Sequence, residues 1–188
     1  MKILAIRLKN LASLAGPFEI DFTAEPLASA GLFAITGPTG AGKSTLLDAF
    51  CLALFGAVPR LGDTGQAKMP DADSDIAMGD PRTLLRRGTG GGYAGVDFGG
   101  VNGRRYRARW EANRARDKAS GKLQNSRQSL IDLDSDQLLA SQKTEYKTQL
   151  ELALGLNFEQ FTRAVLLAQS EFSAFLKAND NERSELLA

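Results

Sequence analysis

The sequence predicts an α/β fold, and three features support that prediction. A short apolar run at residues 31–36 leads into a glycine-rich turn, and the turn leads into an apolar helical segment that ends at Gly56. Alternating apolar and polar residues elsewhere predict an antiparallel β region. The chain has 188 residues, of which 43% are apolar, and this is enough for one domain with a substantial core.

The N-terminal segments predict two antiparallel strands, then a buried strand and a buried helix. Residues 2–9 and 17–22 both alternate, and the turn residues Gly16 and Pro17 lie between them. The run GLFAIT at 31–36 is nearly all apolar, which predicts a buried strand. The sequence KSTLLDAFCLALFG that follows the glycine-rich turn is apolar on all sides, so it predicts a buried helix with Gly56 as its C-cap.

The rest of the chain predicts a loop-rich segment, more strands and then helices. Residues 57–92 are rich in Pro, Gly and Asp, and we expect loops there. Strands are predicted at 93–99, 103–112 and 127–133, with a hairpin turn around 99–103 and a polar, basic connection at 113–126. Helices are predicted from Lys143, at FEQFTRA and from Asn179, whereas Val165–Ala168 fits a strand better.

Composition excludes several kinds of chemistry within this chain. There is no histidine and Cys51 is the single cysteine, so Ser-His-Asp hydrolysis, histidine-ligated metals, disulfides and cysteine zinc sites are excluded. Any metal must have oxygen ligands, which favours Mg²⁺. No apolar run approaches the ~20 residues that span a bilayer, and the start MKILAIRLKN is not a signal peptide. We therefore expect a cytoplasmic protein without a membrane partner.

The sequence GPTGAGKST matches the phosphate-binding pattern G-x-x-x-x-G-K-[ST] in full. Its glycines allow backbone N–H groups to approach phosphate oxygens, and the following helix points its positive end at the same anion. Lys43 is predicted to reach the β- and γ-phosphates, Ser44 to bind Mg²⁺ and Thr45 to lie near the α-phosphate. The pattern predicts that ATP and Mg²⁺ bind to Gly37, Pro38, Thr39, Gly40, Ala41, Gly42, Lys43, Ser44 and Thr45.

Hydrolysis needs more than this loop, because a carboxylate must hold Mg²⁺ and another group must orient the attacking water. The nearest candidate for an acidic strand, Ser129 to Asp132, has polar flanks and fits the β region better. Two interpretations stay open: the ATP-binding half of an ATPase, or a nucleotide-gated interaction module without turnover. A P-loop kinase or GTPase is disfavoured, since no acidic strand and no Asn-Lys-x-Asp motif is found.

Three blocks, MKILAIRLKNLASLAGPFEIDF, GLFAITGPTGAGKSTLLDAFCLALFG and FTRAVLLAQSEFSAFLKANDNERSELL, together resemble the ATPase subunits of bacterial SbcC–SbcD nucleases, which are SMC-like ABC ATPases. The resemblance implies that residues 1–178 form the N-terminal lobe of a split ABC-type head and that 179–188 begin a coiled-coil helix. It also implies a C-terminal ATPase lobe of the same protein, an SbcD-type nuclease subunit, ATP-dependent head dimerisation and double-stranded DNA as partners. The implied function is ATP-dependent processing of DNA ends and hairpins in repair and recombination, with a nucleoid association.

The resemblance further implies that Gln169 is the Q-loop glutamine, a catalytic residue that touches Mg²⁺ and the attacking water. Its amide oxygen is a workable neutral metal ligand, and it follows the apolar run Val165–Ala168. This chain has Ser170 and Glu171 where relatives often have Gly and Gln, which puts the flexibility of the turn in doubt. With Lys43, Gln169 completes the predicted catalytic pair.

A basic region lies between Arg82 and Arg127, with 12 Lys/Arg against 3 Asp/Glu, although the whole chain has a net charge of +1. Alternation places Arg105, Arg107 and Arg109 on one face of a strand. They are candidate contacts to the DNA backbone, or else they form a solvated face or pair with acids elsewhere. Tyr106 and Trp110, on the other face, are predicted to belong to the core.

Overall fold

The computed structural model describes residues 1–62, 67–71 and 74–164. Eight strands and three α-helices lie in these ranges, together with short 3₁₀ turns at Pro59–Leu61, Pro81–Leu84 and Ala115–Asp117. The strands are β1 (Lys2–Lys9), β2 (Phe18–Asp21), β3 (Lys68–Asp71), β4 (Ser74–Ala77), β5 (Gly91–Gly99), β6 (Arg105–Asn113), β7 (Arg127–Asp132) and β8 (Gln137–Ala140). The helices are α1 (Lys43–Phe55), α2 (Lys143–Leu154) and α3 (Phe158–Ala164).

Six strands form one antiparallel sheet in the order β2-β1-β5-β6-β7-β8, and β3 and β4 form a separate hairpin. Val96 lies opposite Ala108, which lies opposite Leu130 on the next strand. The long β5–β6 hairpin turns at 100–103, where Gly103 has a φ of 80°. The sheet confirms the predicted α/β class with an antiparallel region. The sequence missed β8 and the β3–β4 hairpin, because four-residue strands give too few alternations to stand out.

The core lies between one face of this sheet and α1. Phe98 and Trp110 are buried side chains of the sheet in this core, and Leu52 of α1 packs in the same cluster. Tyr146 of α2 fixes the far end of α1, since its hydroxyl donates to the carbonyls of Ala53 at 2.7 Å and Leu54 at 2.9 Å. The predicted core positions of Tyr106 and Trp110 are therefore confirmed, and α1 is buried over most of its surface, with Ser44 and Leu47 exposed.

The predicted buried strand at 31–36 is wrong. These residues have no strand assignment, Leu32 is 93% exposed and Phe33 is 49% exposed. A central strand needs a hydrogen-bonded neighbour and cover on both faces. No strand in the described parts of the chain pairs with residues 31–36, so the apolar run lies at the surface.

None of the helices in the described residues is long and apolar enough to span a bilayer.

Candidate nucleotide-binding site

The glycine-rich loop between Gly37 and Gly42 takes a backbone path that depends on its glycines. Gly37, Gly40 and Gly42 have φ values of 152°, 85° and 94°, a region that side chains with a Cβ rarely adopt. A Cβ on Gly42 would also lie 2.7 Å from the Leu14 side chain. The three glycines of the motif therefore occupy positions whose backbone conformation favours glycine.

The N-terminus of α1 is available to an anion. Its N-cap residue, Gly42, offers no side-chain oxygen, no side chain caps the first N–H groups and the first turn has no acidic residue. A helix N-terminus carries a partial positive charge and unsatisfied donors. The helix is held in place one turn later, where Asp48 accepts bonds of 2.6–2.9 Å from the Arg60 guanidinium.

The Lys43 side chain folds back and contacts the glycine-rich loop. Its ammonium donates to the carbonyls of Gly37 at 2.7 Å and Pro38 at 2.9 Å, so the Nζ lies across the loop mouth. Ser44 is exposed, as a metal-ligating hydroxyl must be, whereas Thr45 is buried. A cation, glycine N–H groups and an uncapped helix end together fit a triphosphate, and the Ser44 hydroxyl fits Mg²⁺ as an oxygen donor.

An apolar cavity of about 430 Å³ adjoins the loop. Phe18, Ile20 and Phe22 of the N-terminal hairpin line one side, and Phe33 and Lys43 line another. The volume lies in the range of small-molecule pockets, and aromatic walls suit a flat ring. This cavity was not predicted from the sequence, although the alternation of Phe18, Ile20 and Phe22 indicates an apolar face at this place.

Two further residues bear on the chemistry of this loop: Gln169, the predicted Q-loop glutamine, and Asp132, which the sequence assigns to the β region. Gln169 lies outside the described residues, so its position is not part of this geometry. Asp132, the acid at the end of β7, forms an ion pair of 2.6 Å with Arg104 and accepts from the backbone N–H groups of Asp134 and Ser135. Its oxygens are used to hold the β7–β8 turn, which agrees with its assignment to the β region.

The three arginines of β6 are all in contact with acids. Arg105 pairs with Asp134 at 2.7 Å, and Arg107 donates twice to Asp97 at 2.7 Å. Arg109 lies 3.3 Å from Glu111 and 4.0 Å above the Tyr93 ring. The predicted alternative of pairing with acids thus describes their geometry in the folded chain.

Asp97 of β5 pairs with two arginines, Arg107 of β6 and Arg7 of β1. Besides Arg107, it accepts a bond of 2.7 Å from Arg7, which also pairs with Glu19. Burial raises the pKa of the Asp97 carboxyl, but the hydrogen bonds and charges of Arg107 and Arg7 outweigh it, so the pKa is lowered. This carboxylate is therefore ionised and holds β1, β5 and β6 together.

Acids outside the basic region pair with four of its cations, and three of these acids are distant in sequence. Arg82, Arg104, Arg105 and Arg114 pair with Asp80, Asp132, Asp134 and Asp71, four acids outside 82–127. Five exposed cations of the region have no ion pair with the described residues. They are Arg87, Arg116, Lys118, Lys122 and Arg127.

With this geometry in view, comparisons with known proteins identify relatives. The AAA domain family matches residues 5–188. The chain is 69% identical over 189 residues to the SbcC component of the SbcCD nuclease of Pseudomonas aeruginosa, a match that covers 100% of this chain and 16% of that protein. It is 53% identical over 189 residues to the protein of the same name from Rhodobacter capsulatus, which covers 100% of this chain and 15% of that protein.

A third relative carries another name. The chain is 31% identical over 188 residues to the "Probable DNA double-strand break repair Rad50 ATPase" of Aquifex aeolicus, covering 100% of this chain and 16% of that protein. The chain thus spans about one sixth of the length of these relatives and matches their N-terminal portion. The resemblance to SbcC-type proteins is confirmed. By its match over residues 5–188, the chain belongs to the AAA domain family of P-loop NTPases.

Proposed function

We propose that this chain is the ATP-binding half of an SMC-like ATPase head. The observation that carries the proposal is the Lys43 ammonium, held across the mouth of a glycine loop at the uncapped N-terminus of α1. The names of the relatives, which include a nuclease component and a Rad50 ATPase, agree with it.

In this proposal the backbone N–H groups of the loop and of the first turn of α1 bind the phosphates. Lys43 exchanges its two carbonyl partners for phosphate oxygens, and the apolar cavity takes the base. Mg²⁺, when bound, would neutralise phosphate charge, with Ser44 and Gln169 as the oxygen donors of this chain. Gln169 would also orient the attacking water, and Thr45 would support the α-phosphate end.

Turnover is proposed to need residues from outside this chain. Two carboxylates of the described residues, Asp48 and Asp132, are bound by Arg60 and Arg104. In the whole protein, a C-terminal lobe would complete the head, heads would dimerise with ATP, and an SbcD-type nuclease subunit would act on DNA ends and hairpins in the cytoplasm. Residues 179–188 would begin the coiled coil that joins the two lobes.

Nucleotide binding is tested by titrating a fluorescent ATP analogue with Mg²⁺ into the chain and into Lys43→Ala. The variant should lose at least about 100-fold in affinity, because it lacks the cation at the phosphates. Lys2→Ala, an exposed lysine at the start of β1, is the matched control and should bind as the parent does. Equal affinity of Lys43→Ala and the parent would reject the proposed site.

The enzyme and the interaction-module interpretations are separated by ATP hydrolysis with and without the C-terminal segment of a full-length relative. If this chain holds half of an active site, ATP should be hydrolysed only when the chain and the C-terminal segment are both present. The Gln169→Ala variant should then lose that hydrolysis. Turnover by the chain alone would contradict the proposed division of the site. Binding without turnover in both mixtures would favour the nucleotide-gated interaction module.

For DNA, we propose that the exposed cations of the basic region contact the phosphates, because the arginines of β6 are already paired with acids. A phosphate contact requires a cation without a competing carboxylate, and Arg116, Lys118 and Lys122 lie together in the loop after β6. Charge-neutral changes at these three should lower the salt slope of double-stranded DNA affinity by about one per lost contact. The same changes at Arg105, Arg107 and Arg109 form the comparison set. A slope that falls only in that set would restore the strand arginines as the contact surface.

A further inference from the structure

Residues 10–15, which follow β1, form a tight turn with an unusual backbone. Leu11 and Leu14 exchange two backbone hydrogen bonds, of 3.0 and 2.8 Å. Within the turn, Asn10 and Ala12 have φ values of 54° and 44°. Residues with a Cβ rarely adopt this left-handed conformation, so the surrounding structure must hold the turn in place.

Arg86 supplies much of that support. Its guanidinium donates to the carbonyls of Ala12 at 3.0 Å and Ser13 at 2.8 Å. Its backbone N–H donates to the Asn10 carbonyl at 2.9 Å, and the Ala12 N–H donates to the Leu84 carbonyl at 2.8 Å. Bonds to carbonyls fix the path of a backbone, because a carbonyl oxygen accepts best near the plane of its peptide group. Three successive kinds of contact therefore tie the turn to one short segment of the chain.

The turn contacts the phosphate loop through Leu14. The Leu14 side chain lies against Gly42, where an added Cβ would come within 2.7 Å of it. Gly42 is the last glycine of the loop and the N-cap residue of α1. Leu14 also lines, with Lys43, the cavity in which we place the base. A shift of the turn would therefore change both the path of the loop and the shape of the cavity.

We propose that Arg86 is a positioning residue of the nucleotide site. It holds the turn so that Leu14 stays against Gly42, and this contact keeps the loop and the start of α1 in the conformation that receives phosphates. Arg86 acts through the turn and needs no contact with the nucleotide. The role rests on the nucleotide function proposed above, since it is a role within that site.

The test compares Arg86→Ala with the parent chain. Titration with the fluorescent ATP analogue and Mg²⁺ should show about 10-fold weaker binding, on the scale of one hydrogen bond to a charged group. In ¹H–¹⁵N NMR spectra without nucleotide, the backbone amide signals of Gly37 and Gly40 should shift, because the loop loses its support. Parental affinity in Arg86→Ala would overturn this role alone, whereas a parent that does not bind the analogue would overturn the nucleotide function as well.

Two further variants show whether the effect passes through the turn. Arg86→Lys keeps a cationic donor for the carbonyls, so it should bind within about 3-fold of the parent. Leu14→Ala leaves the Arg86 bonds in place but removes the contact with Gly42, and it should weaken binding at least about 5-fold. Unchanged affinity in Leu14→Ala would overturn the proposal even if Arg86→Ala fails to fold.

Arg114→Ala is the control for a general loss of stability. Arg114 is another partly buried arginine that donates to a carbonyl, that of Gly121, and it also pairs with Asp71. Its removal should lower the midpoint of thermal unfolding as Arg86→Ala does, yet leave the affinity for the analogue unchanged. Equal losses of affinity in the two variants would overturn the positioning role, because stability alone would then explain both.

Discussion

The six-stranded sheet and the run at 31–36 are both rich in apolar residues, yet they end in different environments. In the sheet, Val96, Ala108 and Leu130 lie on adjacent strands and are buried against α1. In the run, Leu32 and Ile35 are exposed and no described strand pairs with them. The difference teaches that an apolar pattern specifies a preference for burial, whereas burial itself depends on a partner strand at the right place.

Within this comparison, the largest loss of stability is expected on substitution of Trp110, the largest fully buried side chain of the sheet. Trp110→Ala should lower the free energy of unfolding by about 3–5 kcal/mol, because it leaves a large cavity in the core. Urea unfolding followed by circular dichroism measures the change. Leu32→Ala is the control in the exposed run, and we expect at most about 0.5 kcal/mol there, because Leu32 is 93% exposed. Similar losses for the two variants would show that residues 31–36 are packed like the sheet.

A smaller effect is expected at Asp97, where charges rather than apolar contacts join the strands. Asp97→Asn should cost about 1–3 kcal/mol at neutral pH, since Arg7 and Arg107 lose their shared carboxylate. The pKa of Asp97 is lowered in the folded state, so its contribution is present above the ordinary carboxyl pKa and disappears as the pH falls through the folded value.

The stability difference between the parent and Asp97→Asn should therefore shrink on acidification, which urea unfolding at a series of pH values from neutral to acidic would measure. Asp134→Asn, at the exposed ion pair with Arg105, is the control for a surface carboxylate. A difference that stays constant across this range would mean that the loss comes from packing and that ionisation of Asp97 has no part in it.

How much of the fold could be predicted from the sequence depends on where the partners of each element lie. β1, β5, β6 and β7 follow from alternation because each is long enough to show several alternations, and Gly37 to Thr45 match a motif whose backbone demands are local. The pairing of Arg104 with Asp132 and of Arg114 with Asp71 could not be predicted, since residues far apart in sequence meet only through the sheet register. For the same reason, the charge excess at 82–127 overstated the basic surface.

The smallest stability effect is expected for Leu32→Ser, and it is the most informative about the run. Leu32 is 93% exposed, so the exchange should change the free energy of unfolding of this chain by less than about 0.5 kcal/mol. An exposed apolar run beside a phosphate loop should nevertheless promote association, and we propose that in a complete head it pairs with a strand of the C-terminal lobe.

Leu32→Ser should then reduce self-association in sedimentation velocity and weaken recovery of ATP hydrolysis when the C-terminal segment is added. Val101→Ser, at another exposed apolar side chain in the β5–β6 turn, should change neither. If Leu32→Ser leaves association and complementation at parental levels, the apolar character of residues 31–36 has no role in assembling the head. The run would then serve only as a wall of the cavity beside the phosphate loop.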